Sequence, residues 1–376
     1  MEKHLHIITL NVPWPADYGG VFDLFYKLPA LQEQGVKIHL HCFDYGRGEQ
    51  PELNKYCATV HYYRRKKWST QLLAATPYIV ATRKNQQLLN NLLKDDYPIL
   101  MEGIHCSWLL NDTRFKQRKK YVRLHNVEYD YYQHLSTTTP SLLKKWFFQY
   151  ESRLLRRYEQ TIVPKATAFW TVTPKDAETY QRELGCTTAS YLPLFLPPQW
   201  RVNGQTGTGD FCLYQGDLSV AMNEQVAIWL TEKVFAHIEV PFIIAGKNPG
   251  ERLQRVVSEH AHIRLVANPG EQEMQRFITE AQVNVLPSYS NTGIKLKLLN
   301  ALFNGRHCIV NDATIEGTGL TATCTVANTA LEVQSSIDTL FKEPFTDNDL
   351  LLRRQLLEGM FHNEANARKL VQWIWA

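Results

Sequence analysis

The chain has 376 residues, more than one ordinary domain holds and comfortable for two. Hydrophobic residues make up 44% of it and charged residues 21%, values that exclude disordered and fibrous classes. The net charge of +4 hides a basic first half, because residues 1–200 carry 26 Lys and Arg against 18 Asp and Glu, and residues 201–376 carry 15 against 19. The excess indicates either an anionic partner or a lysine-rich solvated surface.

The seven cysteines are scattered, odd in number and never spaced as CxxC. This pattern argues against a disulfide framework and a zinc site, and free thiols fit a reducing compartment. The start of the chain lacks an apolar signal region, and no apolar run reaches the roughly 18 residues that span a bilayer. We therefore expect a cytoplasmic protein, with any membrane contact peripheral and at the inner face.

Buried strands and amphipathic helices alternate through the first half. The apolar runs that predict strands there are residues 5–10, 38–43, 99–101, 121–124 and 168–172. The first helix is predicted over residues 21–34. Such alternation favours a doubly wound parallel sheet, whose ligand site lies at the carboxyl ends of the strands.

Two glycines, Gly19 and Gly20, follow the first predicted strand and precede the first helix. Glycines at this place let backbone N–H groups come close to a ligand. A Gly-Gly pair is also a plain turn signal, so the motif alone leaves both interpretations open.

A histidine, His125, ends the strand predicted over residues 121–124 and is followed by Asn126 and Glu128. Its position at the carboxyl edge of the sheet favours a functional role, and the alternative is a hydrogen-bonded core histidine. Glu102 ends the strand over residues 99–101 in the same way, and for it a purely structural role stays equally open.

Three basic segments lie in the first half: residues 64–67, residues 114–123 and a helical, aromatic-rich segment over residues 144–157. Basic amphipathic helices can lie on anionic lipid, although surface helices with extended lysines have the same composition. No recognition motif accompanies the charge, so we do not expect nucleic acid binding.

Prolines and a Gly/Thr-rich stretch over residues 192–210 mark a linker between a first domain, residues 1–195, and a second, residues 205–361. The predicted strands of the second half are residues 211–214, 242–245, 263–266, 283–286 and 307–310. Its predicted helices are residues 225–237, 271–281 and 295–304, and a last amphipathic helix covers residues 365–375. Each half thus holds about five predicted strands and its own core.

The loop after the strand over residues 283–286 is small and polar, contains Gly293 and opens a helix that stops at Gly305. A strand, a small-residue turn and a helix start form an anion site, because free N–H groups and the helix dipole point at the ligand. Lys295 and Lys297 are unfavourable at a positive helix end unless something negative binds there. The alternative is that the lysines face solvent and the glycine only makes a turn.

This segment resembles the GT-B glycosyltransferases, in particular the large retaining family that uses nucleotide-diphospho-sugars. A subgroup of that family carries Gly-Ile-Lys-x-Lys followed by Ala-x-x-x-Gly, and the matching residues are Gly293, Ile294, Lys295, Lys297, Ala301 and Gly305. Three further segments resemble the family in the same order: Gly216 with Asn223 and Glu224, the strand and turn that end at Lys247, and the turn that begins at Glu316.

The resemblance implies an α/β protein of two Rossmann-like parallel-sheet domains facing a central cleft, with a last helix (residues 362–376) packed back on the first domain. It implies a nucleotide-diphospho-sugar as co-substrate, a saccharide or lipid-linked acceptor, and no metal or other cofactor. The implied donor-binding residues are Gly216, Lys247, Ser290, Asn291, Thr292, Gly293, Lys295, Lys297, Asn300 and Glu316. Gly19 and Gly20 would approach the donor phosphate and acceptor, His125 would orient and polarise the transferred sugar, and Asn126, Glu128 and Glu102 would lie on the acceptor side.

The chain departs from the family pattern at three donor positions. Asn300 stands where the family has a ribose-binding Glu, and Asp217 and Asn223 stand where many members have an Arg and a Lys. These departures keep open a second hypothesis, a catalytically weakened GT-B protein that acts as a binding or scaffolding subunit. A GT-B epimerase ranks last, because the further acid and base residues that it needs are not found.

Overall fold

The chain folds into two units in the computed structural model, which describes residues 2–16, 19–66, 76–139, 141–202, 205–291 and 293–376. The first unit is Met1–Pro197 together with Phe361–Ala376, and the second is Pro198–Met360. Each unit is built on its own parallel sheet.

The first unit contains seven strands. They are β1 (Lys3–Thr9), β2 (Val36–Asp44), β3 (Thr59–Arg64), β4 (Ile99–Glu102), β5 (Lys120–Leu124), β6 (Ala168–Thr171) and β7 (Ala189–Tyr191). The strand order is β3-β2-β1-β4-β5-β6-β7, and every pairing is parallel. The strand order reverses between β1 and β4, so the crevice that binds ligands in open α/β sheets is expected at their carboxyl ends.

The helices of the first unit cover both faces of this sheet. They are α1 (Gly19–Glu33), α2 (Tyr78–Ala81), α3 (Gln86–Leu92), α4 (Glu128–Thr138), α5 (Leu142–Ile162) and α6 (Pro174–Leu184), with a 3₁₀ segment over Ile104–Asn111. Because successive side chains of a strand point to opposite faces, Ile7 of β1 packs with Leu28 of α1, and Ile8 packs with Leu109 and Leu155 on the other side.

The second unit contains six strands: β8 (Cys212–Asp217), β9 (Phe242–Lys247), β10 (Ile263–Ala267), β11 (Val283–Val285), β12 (His307–Val310) and β13 (Thr325–Val326). Their order is β10-β9-β8-β11-β12-β13, again with parallel pairings. The order reverses between β8 and β11, which places the expected ligand crevice beyond Gly216 and the loop after β11.

The helices of the second unit are α7 (Ala221–Trp229), α8 (Glu251–Ser258), α9 (Glu271–Glu280), α10 (Leu296–Asn304), α11 (Asp312–Ile315), α12 (Ala330–Leu340) and α13 (Asp347–Met360). The last helix, α14 (Asn363–Trp375), belongs to the first unit, where it packs on α1. Trp373 of α14 stacks on Trp170 of β6 with ring centroids 5.6 Å apart, and Lys119 donates to the carbonyl oxygen of Ile374.

The predicted α/β architecture with two parallel sheets is confirmed, and each predicted strand is present with small shifts at its ends. The prediction of about five strands per half was wrong, because β3, β7 and β13 were missed. The helix predicted over residues 225–237 is α7 followed by a π-helical turn (Leu230–Val234) and a 3₁₀ turn (Phe235–His237). At this junction the Thr231 hydroxyl donates to the Ala227 carbonyl oxygen, a bond that competes with the regular helix pattern.

A chain of hydrogen bonds crosses β1, β2 and β3. Nδ1 of His6 lies 2.8 Å from Nε2 of His41, Nε2 of His6 lies 2.9 Å from an Asp95 carboxylate oxygen, and Nδ1 of His41 lies 2.8 Å from the Tyr63 hydroxyl. The Asn91 amide donates to that hydroxyl. The bonds can all be satisfied in one direction when both rings are neutral: Tyr63 donates to His41, His41 to His6 and His6 to Asp95.

All seven cysteines are free thiols. No helix in the described ranges combines the length and apolar content needed to cross a bilayer.

Candidate functional site

The ends of β8 and β9 approach each other closely through two glycines. A Cβ atom added at Gly246 would lie 2.0 Å from the carbonyl oxygen of Gly216. Any side chain at Gly246 would therefore force the strand ends apart, and glycine keeps the backbone open beside the predicted Gly216 turn. Lys247, which ends β9 and pairs with Asp217 in the sheet register, is exposed.

The loop after β11 is held in shape by side-chain hydrogen bonds. Ser288 donates to the Ser290 carbonyl oxygen and accepts from the Ser290 N–H, and Asn311 bonds both the N–H and the carbonyl oxygen of Ser288. Gly293 has a φ of 62°, a left-handed conformation that favours glycine. Oδ1 of Asn291 is buried with no hydrogen-bond partner among the described residues. Thr292, also predicted to bind the donor, lies outside the described residues.

Helix α10 begins one residue later than predicted, so Lys295 is its N-cap residue and Lys297 lies in its first turn. Gly305 is the C-cap residue, but its φ of −100° is not left-handed. Glycine is required there for space, because an added Cβ would lie 2.6 Å from Nδ2 of Asn284.

The Lys297 ammonium has neutral partners. Nζ lies 3.3 Å from the Tyr214 hydroxyl, 4.6 Å from the centre of the Tyr214 ring and 3.5 Å from Oδ1 of Asn223. Burial and the nearby charge of Lys295 lower the pKa of Lys297 to about 7. A half-buried ammonium whose hydrogen-bond partners in the described part of the chain are neutral is poorly stabilised, and an anionic ligand would supply the missing charge.

Asn223 and Glu224 shape the loops around this lysine. Nδ2 of Asn223 donates to the Asp217 carbonyl oxygen at 2.9 Å, and a Glu224 carboxylate oxygen accepts from the Gly250 N–H at 3.0 Å. A Cβ at Gly250 would lie 2.2 Å from that oxygen, so the glycine leaves room for the bond. The Asn-Glu pair of the resemblance therefore connects the ends of β8 and β9 with Lys297.

Two predicted donor residues lie further along the unit. Oδ1 of Asn300 in α10 accepts from Nδ2 of Asn304 at 2.8 Å. Glu316 is exposed, follows α11 and precedes the left-handed Gly317, whose φ is 71°. The structure thus brings Gly216 and Lys297 to one edge of the sheet, whereas Glu316 follows α11.

In the first unit, His125 is backed by a buried acid. Nε2 of His125 lies 3.1 Å from one oxygen of Glu102, and the other oxygen of Glu102 accepts from the Lys27 ammonium at 2.6 Å. Glu102 is fully buried at the end of β4, whereas the His125 side chain is 11% exposed. Burial acts to raise the pKa of Glu102, but the Lys27 charge and the bond to His125 outweigh it and lower that pKa. Glu102 thus lies behind the histidine and has no exposed surface with which to meet an acceptor.

The network continues from Lys27 to Asp23 and Arg123. Lys27 donates to Asp23 at 2.9 Å, and Arg123 donates to both Asp23 oxygens, at 3.0 and 3.2 Å. All three side chains are buried, and the attraction of Arg123 and Lys27 overcomes burial to hold the pKa of Asp23 below its usual value. The Arg123 guanidinium also donates to the Leu192 carbonyl oxygen at 2.6 Å.

Asp23, Glu102 and His125 place one potential metal-ligand atom each within 4.8 Å of one another, a grouping found among the described residues. Both carboxylates already receive bonds from Lys27 or Arg123. The carboxylates of Asp23 and Glu102 are balanced in charge by Lys27 and Arg123. The grouping therefore has the chemistry of an ion-pair network rather than that of a cation site.

Glu128 and Arg83 form a second buried group at this sheet edge. Burial raises the pKa of Glu128, the first residue of α4, to about 7, against the opposing effects of an Asn126 hydrogen bond and the Arg83 charge. The Arg83 guanidinium is 2% exposed and donates to the carbonyl oxygens of Leu10 and Ile79. Nδ1 of His105 lies 4.0 Å from a Glu128 oxygen.

The glycine pair Gly19 and Gly20 forms the first turn of α1, on the carboxyl side of β1. The two residues before it, numbers 17 and 18, are outside the described ranges. The pair therefore lies at a helix start, as an anion-binding role would need.

Sequence reasoning missed Asp23, Lys27, Arg123 and Arg83. The sequence contained a signal for the first three of these residues. Asp23 and Lys27 are four residues apart and so lie on one helix face. Arg123 lies two residues before His125 and so on the same strand face. Arg123 also pairs with Glu102 in the sheet register. Arg83 follows a four-residue helix after residues 67–75, and no periodic pattern marks it.

Comparison with known proteins agrees with this architecture. Residues 210–342 match the family model described as glycosyl transferases group 1. A Klebsiella pneumoniae relative, described as an uncharacterized 44.6 kDa protein in cps region, is 24% identical over 330 residues, which cover 83% of this chain and 84% of the relative.

Solved structures similar over nearly the whole chain include TarM, with a TM-score of 0.70, 11% identity and coverage of 100% of this chain and 99% of that one. A glycosyltransferase from Rickettsia africae has a TM-score of 0.64 at 12% identity, with coverage of 99% and 98%. A structure described as trehalose-6-phosphate from E. coli bound with UDP-2-fluoro glucose has a TM-score of 0.64 at 10% identity, with coverage of 99% of both chains. At these identities the likeness shows a shared fold.

Proposed function

We propose that the chain is a glycosyltransferase that moves a sugar from a nucleotide-diphospho-sugar to a saccharide or lipid-linked acceptor, on the support of the group 1 family match over residues 210–342 and the fold that it shares with TarM. We assign donor binding to the second unit and the acceptor-side chemistry to the first. The transfer proceeds with retention of configuration and without a metal ion.

The observation that carries the proposal is the environment of Lys297. Its ammonium lies in the first turn of α10 beside Lys295, its hydrogen-bond acceptors are neutral, and its pKa falls to about 7. A diphosphate placed there would accept hydrogen bonds from N–H groups at the helix start and restore a fully charged Lys297. This arrangement compensates for the Arg and Lys that the chain replaces with Asp217 and Asn223.

Asn291 supports the same assignment. Its buried Oδ1 atom has no hydrogen-bond partner among the described residues, and an unsatisfied buried acceptor is costly. A hydroxyl or N–H group of the bound donor would satisfy it. Gly293, two residues further along the chain, is left-handed and is followed by Ile294 and Lys295.

His125 is the residue that we assign to the transferred sugar. With Nε2 of His125 donating its hydrogen bond to the Glu102 carboxylate, Nδ1 is the ring atom left to meet a hydroxyl group of the sugar. In the proposed reaction the bond between the sugar and the diphosphate breaks, the acceptor oxygen bonds to the same face of the sugar, and the leaving phosphate oxygen takes the acceptor proton. Glu102 is buried behind the histidine and acts by positioning it.

The relative from the cps region supports a role in capsule polysaccharide synthesis. An acceptor of that kind is a growing saccharide, free or attached to a lipid. We place the reaction on the cytoplasmic side of the membrane, where nucleotide-sugars would be available.

A thermal-shift panel of UDP-, GDP- and ADP-sugars tests the donor assignment. We expect one base to raise the melting temperature, and Lys295→Ala to abolish that shift while Lys233→Ala, an exposed lysine of the same unit, leaves it intact. The absence of a shift with every base at millimolar nucleotide would refute the proposal.

An assay of donor hydrolysis and transfer separates an enzyme from a scaffolding subunit. Turnover that disappears in both His125→Ala and Lys295→Ala supports the assigned roles. Donor binding without any turnover in the wild-type protein would instead favour the weakened, binding-only form that Asn300 suggested.

A further inference from the structure

Helix α5 exposes large apolar side chains at its amino-terminal end. Leu142 is 74% exposed, Leu143 85%, Trp146 71% and Tyr150 42%. We refer to these four residues as the α5 patch. Scattered single exposed leucines are ordinary on protein surfaces, but a cluster that includes a tryptophan marks an interaction site.

The α5 patch is held firmly, because the opposite side of the helix is packed. Leu155 and Ile162 of α5 are fully buried. Near the patch, Phe147 meets Tyr78 edge to face with ring centroids 6.4 Å apart, and Phe148 meets Tyr132 in the same way at 5.9 Å. The exposed face is therefore not free to turn inward.

The exposed charged residues of α5 itself have one sign. Lys144 and Lys145, in the first turn, and Arg153 and Arg157, further along, are exposed. The first turn of α5 contains no acidic residue. The helix dipole makes two lysines at this end unfavourable in water, and a negative surface would reverse that cost.

The acidic residues of α5 do not offset these charges at the surface. Glu151 and Glu159 are both buried, Glu151 accepting from the Tyr78 N–H and Glu159 from the Tyr129 N–H and the Tyr180 hydroxyl. The exposed face of α5 thus combines apolar side chains with cations and carries no carboxylate of this helix.

The basic segment over residues 114–123 makes hydrogen bonds and ion pairs within the first unit. Arg118 donates to Asp95 and to the carbonyl oxygens of Leu92 and Tyr97, and Lys120 donates to that of Phe115. Arg123 belongs to the buried network behind His125. The positive charge of this segment is therefore largely committed, which leaves α5 as the better candidate for an anionic partner.

We infer that the α5 patch docks the first unit on a membrane surface that contains anionic phospholipid. Leu142, Leu143 and Trp146 enter the boundary between head groups and acyl chains, and the lysines meet lipid phosphates. The helix lies on the surface, in agreement with the finding that no described helix can span a bilayer. The docking itself is argued from the α5 patch alone. Only its purpose rests on the proposed function, since docking would bring a lipid-linked acceptor to the enzyme.

Co-flotation with vesicles tests the inference with the full-length protein. Wild-type protein should float with vesicles of phosphatidylcholine and phosphatidylglycerol, less with phosphatidylcholine alone and less at high salt. Leu143→Ser/Trp146→Ser should weaken the partition about tenfold or more. Lys144→Ala/Lys145→Ala should weaken it several-fold on the anionic vesicles only.

Matched controls lie in the second unit. Leu331 is 77% exposed, so Leu331→Ser removes an equally exposed leucine, and Lys233→Ala/Lys342→Ala removes two exposed lysines. Both controls should float as the wild type does. The patch variants should keep the nucleotide thermal shift, so a failure of docking is distinguishable from a failure of the proposed function.

Three outcomes would overturn the inference. The first is equal flotation of wild type and Leu143→Ser/Trp146→Ser. The second is flotation with anionic vesicles that is no stronger than with neutral vesicles and that the lysine substitutions leave unchanged. The third is a failure to float combined with concentration-dependent self-association that the patch variant abolishes, because the patch would then be covered by a second copy.

Discussion

Glu102 holds His125 and Lys27 at once, with one carboxylate oxygen 3.1 Å from the histidine Nε2 atom and the other 2.6 Å from the lysine ammonium. The carboxylate fixes the orientation of the ring that we assign to the transferred sugar. The same carboxylate also neutralises part of the positive charge of the buried Lys27. One residue therefore links the geometry of the proposed catalytic group to the stability of the first unit.

Glu102→Gln is expected to lower kcat about 10- to 100-fold and to change the donor KM much less. An amide can accept a bond from His125 or from Lys27, but it removes the negative charge that serves both. Steady-state kinetics with melting temperatures measured in parallel check this, and Glu102→Asp should recover part of kcat.

Glu159→Gln is the matched control for that variant. Glu159 is equally buried, and burial raises its pKa to about 8 against the hydrogen bonds from Tyr180 and Tyr129. Its carboxyl group is thus mostly protonated at neutral pH, and an amide replaces it with little change in activity. Equal losses of kcat in both variants would show that Glu102 is only a packing residue.

The pH dependence of stability should reveal the His6–His41 chain. Burial lowers the pKa of His6 to about 4 although its bond to Asp95 opposes this, and Arg118 and His39 lower it further. Because the folded state disfavours the proton, stability that is present above the unfolded pKa of about 6.5 is lost as pH falls toward 4. The loss amounts to at most about 3 kcal/mol.

Urea unfolding followed by tryptophan fluorescence measures this effect as a difference. The advantage of wild type over His6→Gln in the free energy of unfolding should shrink as pH falls from about 6.5 to 4. His237→Gln, at an exposed histidine of the second unit, should show no such trend. A difference that stays constant with pH would mean that His6 carries a proton in the folded state.

Donor binding should be coupled to proton uptake through Lys297. With a pKa of about 7 in the free protein, Lys297 is half neutral near pH 7, and a bound diphosphate would raise that pKa. Affinity for a nucleoside diphosphate should therefore fall as pH rises from about 7 to 9, by at most about tenfold per unit. Titration calorimetry in two buffers of different ionisation enthalpy measures the uptake directly.

Lys297→Arg provides the decisive variant, because the guanidinium stays charged throughout this range. It should remove the proton uptake, whereas Lys247→Arg, the same exchange at the exposed end of β9, should preserve it. Uptake that persists in Lys297→Arg would assign the titrating group elsewhere.

Gly246→Ala should destabilise the second unit by more than about 2 kcal/mol and weaken nucleotide binding with it. The new methyl group would lie 2.0 Å from the Gly216 carbonyl oxygen, so β8 and β9 must separate. Gly270→Ala, at the start of α9, meets no atom within 4 Å and should change stability by less than about 1 kcal/mol. Denaturant unfolding compares the two, and a well-tolerated Gly246→Ala would show that the strand ends adapt.

Most of the fold was predictable because strands buried on both faces are continuous apolar runs. Strand β9 is an example, since Phe242 to Gly246 form an uninterrupted apolar run and are all buried. Strand β3 was missed because it lies at the edge of the sheet, where its half-exposed His61 and Tyr62 interrupt the apolar signal. Strands β7 and β13 have three and two residues, too few for any periodicity.

The residues of the candidate site were predictable where a local motif carried them and not where distant segments meet. Gly293 and Lys297 lie in one continuous pattern, and their positions relative to β11 and α10 follow from it. The partners of Lys297, Tyr214 and Asn223, are more than 70 residues away in the chain, and nothing local connects them. Lys295 was predicted inside the helix, but hydrogen bonding starts one residue later and makes it the cap.

The buried set of Asp23, Lys27, Glu102 and Arg123 constrains how this protein can evolve. Each member neutralises another away from water, so replacing any single one exposes an unmatched charge that costs several kcal/mol. Relatives are expected to keep all four residues or to have exchanged them together for apolar ones. The ion pairs behind His125 can therefore be lost only when several of these four residues change together.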